Sequence, residues 1–583
     1  MKIFNFLLLI FFLMTQAVKA ENITVNHPSP YVRMHANDAV KWQKWDASVL
    51  ERAQKENKLI MISSGYYACH WCHVMRKQSY TDAEVAAVLN NKYIVVKIDR
   101  ELNSSLDAYL MDFLQRTTGH GGWPLNVFLT PWGYPLTGLV YLPKKQFMEV
   151  ILKLETRWKK DPAGLTELAL NSFRQAEKLN TEDVYISNKG LLGLFLNTLN
   201  QSMDEMEGGF GNGVKFPMPY LMMSLLSVYE KNKDKALSAF IRLTLKQMSE
   251  KGLHDVIGGG FFRYTVDQSW SIPHFEKMLY GNAAMIGLYV KAYRVFNDEQ
   301  WLRIAEETMD FVLREMQSES GFYVSSLNAQ DASGEEGGNY LWDRKKLTDI
   351  INGSENRNLR KNVTYHAVSG SDKVLPVGLW YGEISDKSRL KLLQKRRANP
   401  PVKDDKLVLS WNAYLLSSMV ELIKVSDRKQ YRQSARQLYK KIKSKASSDI
   451  VRNRQGHGQK YLDDYAFITY SLYQWNTLLK TDTDQALILS LVMQSVNLFS
   501  DKNGWRMTDD ALIPMPASQK NIADANLPSA EVALLKLFYK LGIKQRKVNE
   551  IIQRVRRQVD VHVVNNPLEF SSLIILKRQY ALD

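Results

Sequence analysis

The chain has only two cysteines in 583 residues, Cys69 and Cys72, and two residues separate them. A general disulfide framework would need more cysteines, placed further apart. At the start of a helix, a C-x-x-C pair puts two sulfurs on adjacent turns. There the helix dipole lowers the pKa of the first thiol, and the second thiol can resolve a mixed disulfide. His70 and His73 can add positive charge that favours a thiolate. The pattern predicts thiol–disulfide chemistry, with Cys69 as nucleophile and Cys72 as resolving thiol.

Two other interpretations fit the same residues. The segment Cys69–His73 matches C-x-x-C-H, the attachment motif for c-type haem, and the pair could also be purely structural. A metal site formed by Cys69, His70, Cys72 and His73 is disfavoured, because ligands so close in sequence do not readily close a tetrahedron. We therefore expect no haem, metal or other cofactor beyond a redox-active Cys69–Cys72 disulfide.

The elements around the pair indicate how it is positioned. Thr81-Asp82-Ala83-Glu84 is a capping box that opens a helix. Pro124 follows a glycine run and precedes a strand, which is a reasonable place for a cis peptide bond. Strand, C-x-x-C helix, strand, helix, proline, hairpin and helix is the order of a thioredoxin fold, whereas a haem-c domain would be mostly helical. The predicted helices are 47–57, 81–90, 106–116 and 144–160, and the predicted strands are 59–63, 92–99, 125–130 and 136–142.

At this point the chain resembles a known family. Its segments 29–42, 65–75, 97–101 and 121–131 are similar to the thioredoxin-like domain of the spermatogenesis-associated protein 20 family, whose bacterial members are called YyaL-type proteins. The resemblance implies a thioredoxin-like domain followed by a helical toroid related to six-hairpin glycosidases and sugar epimerases. Five later segments resemble the toroid motifs of that family: 208–219, 252–280, 321–342, 404–412 and 461–467.

The surroundings of the cysteines differ from thioredoxin at one position. Six residues before its first cysteine, thioredoxin has a buried aspartate that helps to move the proton of the resolving thiol; this chain has Ser63 there. A histidine could take over that role. Pro124 is expected to shape the substrate groove, and His120 stands where the family usually has glycine. The predicted supporting residues of the redox site are His70, Trp71, His73, His120, Trp123 and Pro124.

A coarse repeat marks the second part of the chain, where helical periodicity dominates. Each interval between its glycine-rich and aromatic loops can hold a helical hairpin, and six hairpins indicate a closed (α/α)6 toroid with a pocket at the loop end. The fold class is therefore α/β plus all-α, a thioredoxin-like fold followed by a six-hairpin glycosidase-like toroid. The six loops begin near Gly208, Gly258, Ser326, Arg396, Gln459 and Pro514.

The toroid loops carry a second set of candidate residues. Flat aromatic rings can stack on a polar ring such as a sugar, and carboxylates can bind hydroxyls or act as acid and base. The plainer interpretation is architectural, because Asp-Asp pairs before a helix are commonly N-caps. Gln330 and Val402 replace family residues, which weakens the case for toroid chemistry. The candidate pocket residues are Asp255, Trp270, His274, Glu276, Asp404, Asp405, Trp411, Asp463 and Asp464.

The first twenty residues predict export. Lys2, an apolar run at 3–14 and a small-residue site ending at Ala20 are typical of a signal peptide, and the run is short for a membrane span. An uncleaved anchor is the alternative. An exported, periplasmic or secreted location suits an oxidisable cysteine pair. The predicted divisions are a signal peptide at 1–20, a thioredoxin-like domain at 21–160, a bridging helix and linker at 161–187, the toroid at 188–560 and a C-terminal tail at 561–583.

The formal net charge is +16, but the basic residues are spread along the chain. The densest runs, 428–445 and 544–558, have apolar residues at helical spacing, so they are interpreted as solvated faces of packed helices and not as nucleic-acid sites. We expect no nucleic-acid partner and no stable membrane span after signal cleavage. The predicted function is thiol–disulfide exchange with protein substrates, alongside a toroid that binds a carbohydrate-like ligand or a partner. The alternative is a carbohydrate-binding or carbohydrate-processing protein, epimerase-like or hydrolase-like, with a structural cysteine pair.

Overall fold

The computed structural model describes residues 23, 25–181, 183–351, 364–367, 373–377, 386–396, 400–448, 450, 459–516 and 521–580. The predicted signal peptide at 1–20 lies outside these residues. Within them, every helix is too short or too polar to cross a membrane.

The first domain is built on a four-stranded sheet of β1 (Ile60–Gly65), β2 (Ile94–Asp99), β3 (Leu125–Leu129) and β4 (Pro135–Leu139). The strand order is β2–β1–β3–β4, with β1 parallel to β2 and antiparallel to β3. Every residue of β1, β2 and β3 is buried, which explains why these strands are mostly continuous apolar runs in the sequence. The predicted thioredoxin-like fold is confirmed.

Six helices pack around this sheet; five of them occur in the predicted order, and the short first helix was not predicted. At the predicted capping box, Asp82 and not Thr81 is the N-cap, because its carboxylate accepts the N–H groups of Glu84 and Val85. The helix that carries the cysteines continues into a π-helical turn at Arg76–Tyr80. The helices are α1 (Pro30–Met34), α2 (Ala47–Glu56), α3 (His70–Met75), α4 (Ala83–Lys92), α5 (Ser104–Thr118) and α6 (Lys144–Lys160).

The bridging segment joins the first domain to both ends of the helical part. Its helix α7 (Pro162–Thr181) lies within the predicted bridging segment at 161–187. The next strand, β5 (Asp183–Val184), pairs antiparallel with Val559–Asp560 near the end of the chain. The linker is therefore held in place by a late segment of sequence.

Six inner helices then form a closed ring in which each packs against the next and the last packs against the first. They are α9 (Pro219–Asn232), α11 (Leu279–Phe296), α15 (Leu409–Ile423), α17 (Leu462–Leu479), α19 (Ala530–Leu541) and α22 (Ser571–Gln579). The outer helices are α8 (Asn188–Ser202), α10 (Lys235–Glu250), α12 (Glu299–Phe311), α16 (Lys429–Ala446), α18 (Gln485–Phe499) and α20 (Arg546–Arg557). This arrangement is the predicted (α/α)6 toroid.

The structure corrects the predicted end of the toroid. The sixth inner helix is α22, which lies beyond the predicted boundary at 560 and packs against α8 and α9. The segment 561–583 is therefore not a tail, because its described residues complete the ring. A helix of nine residues is short for an inner helix, which is why its periodicity is weak in the sequence.

The loops follow a simple rule. Long connections precede the N-terminal ends of the inner helices, and short ones join each inner helix to the outer helix that follows it. The predicted loops near Ser326 and Arg396 do not bound a hairpin of the ring; both belong to one insertion between α12 and α15. The remaining elements are the helices α13 (Arg344–Ile351), α14 (Asp386–Arg396) and α21 (Val561–Asn565), and the strands β6 (Tyr264–Thr265), β7 (Pro273–His274), β8 (Lys277–Met278), β9 (Ser326–Asp331), β10 (Trp342–Asp343), β11 (Thr364–Ala367), β12 (Lys373–Val377), β13 (Pro401–Asp404) and β14 (Val559–Asp560).

The thioredoxin-like domain packs on this loop face of the toroid. Tyr461, directly before α17, donates its hydroxyl to the carbonyl oxygen of Leu102 at 3.0 Å. Buried apolar side chains of the two domains form one continuous cluster. The cysteine helix α3 is therefore positioned by both domains.

Candidate functional site

The two cysteines lie at the start of α3, directly after β1. Cys69 is the N-cap residue, and its Sγ accepts the backbone N–H of Cys72 at 3.3 Å. Both are free thiols, 4% and 1% exposed, whereas Trp71 between them is 46% exposed. Both cysteines lie at a helix start, as predicted, but the first sulfur is covered.

Burial changes the electrostatics that the sequence suggests. Burial raises the pKa of Cys69 well above its ordinary value, and the neighbouring Cys72 and the charge of Glu276 raise it further. Burial also lowers the pKa values of His70 and His73, so both are neutral at pH 7. In this arrangement Cys69 is a protonated thiol, and the histidines do not supply the positive charge expected of them.

The cover over the pair comes from the toroid. Glu276 is fully buried, and its Oε1 accepts hydrogen bonds from the Tyr66 hydroxyl at 3.0 Å and from Arg263 Nη1 at 3.0 Å. Arg263 also contacts the Tyr66 hydroxyl. Tyr66 stands three residues before Cys69, so this triad joins the segment before the cysteine helix to a toroid loop.

Histidines and a carboxylate line the same contact. His70 Nδ1 lies 3.2 Å from Glu336 Oε2, and His274 Nε2 lies 3.7 Å from the other oxygen of Glu336. The rings of His70 and His274 are 6.3 Å apart, and His274 stacks on Tyr264 at 5.1 Å. Burial raises the pKa of Glu336. These groups form a polar seam between α3 and the toroid.

The insertion also touches α3 through its strand β9. Asn328 Nδ2 lies 3.3 Å from His73 Nε2, and Gln330 Nε2 lies 3.5 Å from His70 Nδ1. Gln330, which replaces a family residue, lies beside the cysteine helix. This part of the insertion thus belongs to the interface with the thioredoxin-like domain.

The sequence also predicts His120, Trp123 and Pro124 as supporting residues of the cysteine site. The Trp123–Pro124 peptide is cis, as predicted. Trp123 Nε1 donates to Asp107 at 2.9 Å, and the guanidinium of Arg100 lies 3.8 Å from the Trp123 ring centre. His120 is exposed, and its Nδ1 lies 3.0 Å from the carbonyl oxygen of Thr118 in its own loop.

A buried lysine pairs with Ser63, the residue at the position where thioredoxin has its aspartate. Ser63 and Lys97 are directly opposite in the register of β1 and β2, and Lys97 Nζ donates to Ser63 Oγ at 3.0 Å. The ammonium also lies 4.1 Å and 4.2 Å from the ring centres of Trp42 and Tyr80. Burial lowers the pKa of Lys97 to about 7.

The position of Cys72 is fixed by a close approach at the end of β1. A Cβ atom added at Gly65 would lie 2.8 Å from Cys72 Sγ and 2.3 Å from the Tyr31 hydroxyl, so glycine is needed there. Ser63 and Gly65 are two residues apart on one strand and therefore share a face of the sheet. Lys97, through Ser63, is thus on the same side of the sheet as the resolving thiol.

Lys406 links the two domains by charge. Its Nζ lies 3.1 Å from Asp99, 2.7 Å from Glu101 and in contact with Asp404, and all four residues are buried. Asp99 and Glu101 belong to the thioredoxin-like domain, whereas Asp404 belongs to the toroid insertion. Burial raises the pKa of Glu101 to about 7 and that of Asp404 to about 6.

The other toroid candidates are engaged in holding loops. Asp255 is buried with Lys277 at 2.7 Å and Arg396 at 2.8 Å. The Trp270 indole donates to the Glu207 carbonyl oxygen at 3.0 Å, and Trp411 packs edge-on against Tyr280. Asp464 accepts the N–H of Ser410 at 2.8 Å, and Asp463 is its half-buried neighbour in the first turn of α17. Asp405 is exposed and pairs with Arg33 at 3.2 Å. Of the predicted pocket, His274 and Glu276 meet the cysteine helix.

Sequence reasoning missed several residues of this site. Tyr66, Arg263 and Lys406 all lie inside the motifs that resemble the family, but nothing in one sequence says that those motifs meet in space. Glu336 and Lys97 are similar cases. A signal was present for Lys97 alone, because a lysine in the middle of the apolar strand segment at 94–98 must be buried if that strand is central.

Comparison with known proteins supports the family resemblance that the sequence motifs indicate. Residues 21–176 match the family model Thioredox_DsbH, described as a protein of unknown function, DUF255. Spermatogenesis-associated protein 20 of Rattus norvegicus is 33% identical over 356 residues, which are 57% of this chain and 45% of that protein. An uncharacterised protein of Caenorhabditis elegans is 27% identical over 520 residues, 78% of this chain and 71% of its own length. The chain thus spans about half the length of the mammalian relative.

The solved structures that resemble the chain are more distant. A cellobiose 2-epimerase from Spirochaeta thermophila has 13% identity and a TM-score of 0.42, and covers 65% of this chain and 84% of its own. A sugar epimerase from a ruminal bacterium has 11% identity and a TM-score of 0.43. The match covers 68% of this chain and 99% of the epimerase chain.

Proposed function

We propose that this relative of spermatogenesis-associated protein 20, with its thioredoxin-like DUF255 domain, is a thiol–disulfide oxidoreductase whose toroid controls access to Cys69. The observation that carries the proposal is the position of Cys69 Sγ at the N-cap of α3, 3.3 Å from the backbone N–H of Cys72. That N–H and the helix dipole stabilise a thiolate on Cys69 once the sulfur is open to solvent.

The reaction, written as reduction, has two steps. The Cys69 thiolate attacks a substrate disulfide; a Cys69–substrate bond forms, the substrate S–S bond breaks, and one substrate sulfur leaves as a thiolate that takes up a proton. The Cys72 thiolate then attacks Cys69 Sγ, which releases the second substrate thiolate and leaves a Cys69–Cys72 disulfide. Two electrons pass to the substrate, and an external dithiol must restore the reduced pair.

Lys97 is suited to accept the proton of Cys72 before the second step. A base for this thiol must be buried with it and must be neutral near pH 7 for part of the time. Lys97 meets both conditions, because burial lowers its pKa to about 7 and it is bonded to Ser63 on the face of β1 that Cys72 approaches. A lysine–serine pair thereby replaces the aspartate of thioredoxin.

The toroid acts as the cover in this scheme. With Tyr66 and Arg263 on Glu276 and with Glu336 between His70 and His274, the pair is closed and Cys69 is protonated. Separation of this seam removes the charge of Glu276 from Cys69 and opens the sulfur to a substrate. Substrate selection then lies with the toroid loops that border α3.

Trapping tests the proposal directly. The full chain with Cys72→Ser is expected to hold its thiol substrates as mixed disulfides on Cys69, identified by mass spectrometry after non-reducing separation. Cys69→Ser is the matched control and should hold none. Equal trapping by both variants, or a Cys69–Cys72 pair that forms no reversible disulfide in glutathione buffers, would show that the pair is structural.

Export is the second part of the proposal, supported by the apolar run at 3–14 and the site at Ala20. The expected location is the periplasm or the exterior, where a disulfide persists. The test is a fusion of residues 1–30 to a reporter that works only after export; retention of the reporter inside the cell would contradict it.

A further inference from the structure

The centre of the toroid contains a cavity of about 430 Å³ that is separate from the cysteine site. All six inner helices contribute side chains to it, and its volume lies within the range of small-molecule sites. Nine of the residues around it carry hydroxyl groups: Ser224, Ser227, Ser417, Ser418, Ser529, Ser572, Tyr220, Tyr414 and Tyr470.

Two lysines lie in this wall. Lys291 of α11 donates to the hydroxyl of Ser227, and Lys536 of α19 forms no hydrogen bond with the part of the chain that the structure describes. Across the same residues, no carboxylate lies within 4.0 Å of either ammonium group. Burial lowers the pKa of both lysines, that of Lys291 to about 8. The charge of Glu230 raises the pKa of Lys291 and the charge of Lys536 lowers it, while the charge of Asp524 raises the pKa of Lys536.

Three acidic groups lie near the cavity. Glu421 pairs with Arg294 at 2.5 Å and with Lys424 at 2.6 Å, and Glu230 is exposed in the last turn of α9. Asp524 accepts hydrogen bonds from the Ser571 hydroxyl at 3.0 Å and from the backbone N–H of Ser529 at 3.0 Å. Glu230 acts on Lys291 and Asp524 acts on Lys536 through charge, but within the described part of the ring neither carboxylate pairs directly with a lysine.

An unmatched buried charge destabilises a protein, and so does a buried hydroxyl without a partner. Ser417 borders the cavity, and its Oγ is buried without a hydrogen-bond partner among the described residues. Two ammonium groups without a directly paired carboxylate, and a serine beside them with an unsatisfied hydroxyl, are what a bound anion with hydroxyl groups would satisfy.

We infer that the toroid cavity binds a small polyhydroxylated anion, with Lys291 and Lys536 holding its charged group and the serine and tyrosine hydroxyls holding its hydroxyl groups. The charged group is a carboxylate or a phosphate, since both accept several hydrogen bonds from ammonium groups. The site does not depend on the cysteine pair, so it stands or falls apart from the proposed redox function.

Calorimetric titration of the full chain tests the inference with four probes: gluconate, glucose 6-phosphate, inorganic phosphate and uncharged glucose. We expect gluconate or glucose 6-phosphate to bind at least about tenfold more tightly than glucose. Tighter binding of one than of the other identifies the charged group, and weak binding of phosphate alone would mark the lysine subsite. Equal binding of glucose and both anions, or no binding of any probe, would overturn the inference.

Variants then locate the site. Lys291→Met and Lys536→Met should each weaken anion binding by about tenfold or more, whereas Lys246→Met, an exposed lysine on outer helix α10, should leave it unchanged. Because Lys536→Met removes an unmatched ammonium, it should also raise the melting temperature, and a more stable variant that no longer binds cannot be explained by misfolding. Lys291→Arg keeps the charge and should retain binding if Lys291→Met fails to fold. Undiminished binding in Lys536→Met would place the anion elsewhere.

Discussion

The hydroxyl of Tyr66 donates to Glu276 Oε1 at 3.0 Å, across the boundary between the two domains. Tyr66 leads into the cysteine helix, and Glu276 is a buried carboxylate whose charge raises the pKa of Cys69. One toroid side chain therefore both fixes the approach to the redox pair and disfavours its thiolate. This relationship makes the reactivity of Cys69 dependent on the toroid.

Glu276→Gln is predicted to make Cys69 more reactive. Loss of the carboxylate charge lowers the pKa of the thiol, so alkylation by iodoacetamide at pH 7 should be faster by roughly two- to tenfold. The measurement is the rate of alkylation of Cys69 against pH, by peptide mass spectrometry. The control is Glu335→Gln, which changes a half-exposed glutamate next to Glu336 in sequence. It should not move the alkylation profile of Cys69. An unchanged apparent pKa in Glu276→Gln would contradict the electrostatic link.

Lys406→Met is predicted to destabilise the protein strongly. The substitution leaves Asp99, Glu101 and Asp404 buried without their shared cation, and removal of one partner from a buried ion pair costs about 3–5 kcal/mol. The free energy of unfolding from urea titrations measures this loss. The exposed Lys403→Met, three residues away, should change it by less than about 0.5 kcal/mol. Equal values for the two variants would show that the cluster does not hold the domains together.

The same cluster predicts a pH dependence of stability. Burial raises the pKa of Glu101 to about 7 and that of Asp404 to about 6, above their values in the unfolded chain of about 4. Between about pH 4 and pH 7 the folded state therefore binds more protons than the unfolded state. The stability that the protonated Glu101 and Asp404 contribute is full below about pH 4 and is lost as the pH rises through about 7. Glu101→Gln should reduce that fall by roughly 1–3 kcal/mol in urea titrations from pH 4.5 to 7.5. Parallel stability curves for the variant and the parent chain would refute it.

Lys97→Met is predicted to slow the resolving step and to spare the first attack. Without the buried amine no base accepts the Cys72 proton, so mixed disulfides on Cys69 should persist about a hundredfold longer. In the parent chain the rate of resolution should rise with pH through about 7, the pKa of Lys97, and this step should vanish in the variant. Quenched-flow alkylation measures both rates. The exposed Lys41→Met is the control, and the proposal fails if it behaves like Lys97→Met.

Local patterns in the sequence predict the first domain closely, because its elements are set by short-range rules. Helix α6 begins and ends at the predicted residues, 144 and 160, and the cis peptide before Pro124 is where the glycine run and the proline placed it. The six-helix ring also follows from periodicity. Periodicity predicts α22 least well, because its nine residues are held as an inner helix by packing on α8 and α9 and not by their own sequence pattern.

The site itself was less predictable, because it depends on contacts between distant segments. The cysteines lie at a helix start, as predicted, but burial of Cys69 and the charge of Glu276 raise its pKa, which is opposite to the direction that a helix start suggests. Asp255 and Asp464 were candidates for chemistry by type alone, and their partners show structural use. A single sequence does not report which charged residues neutralise one another across domains.

The closure of the ring by α8 and α22 sets an order of events during synthesis. A ribosome completes the thioredoxin-like domain first, and domains tend to fold as they emerge. The sixth inner helix, Ser571–Gln579, is translated almost last, so the toroid cannot close until nearly the whole chain has been made. We therefore expect a stage of synthesis in which Cys69 and Cys72 lie on a completed domain that the toroid does not yet cover. Any oxidant or partner that acts on the newborn chain reaches them before the toroid does.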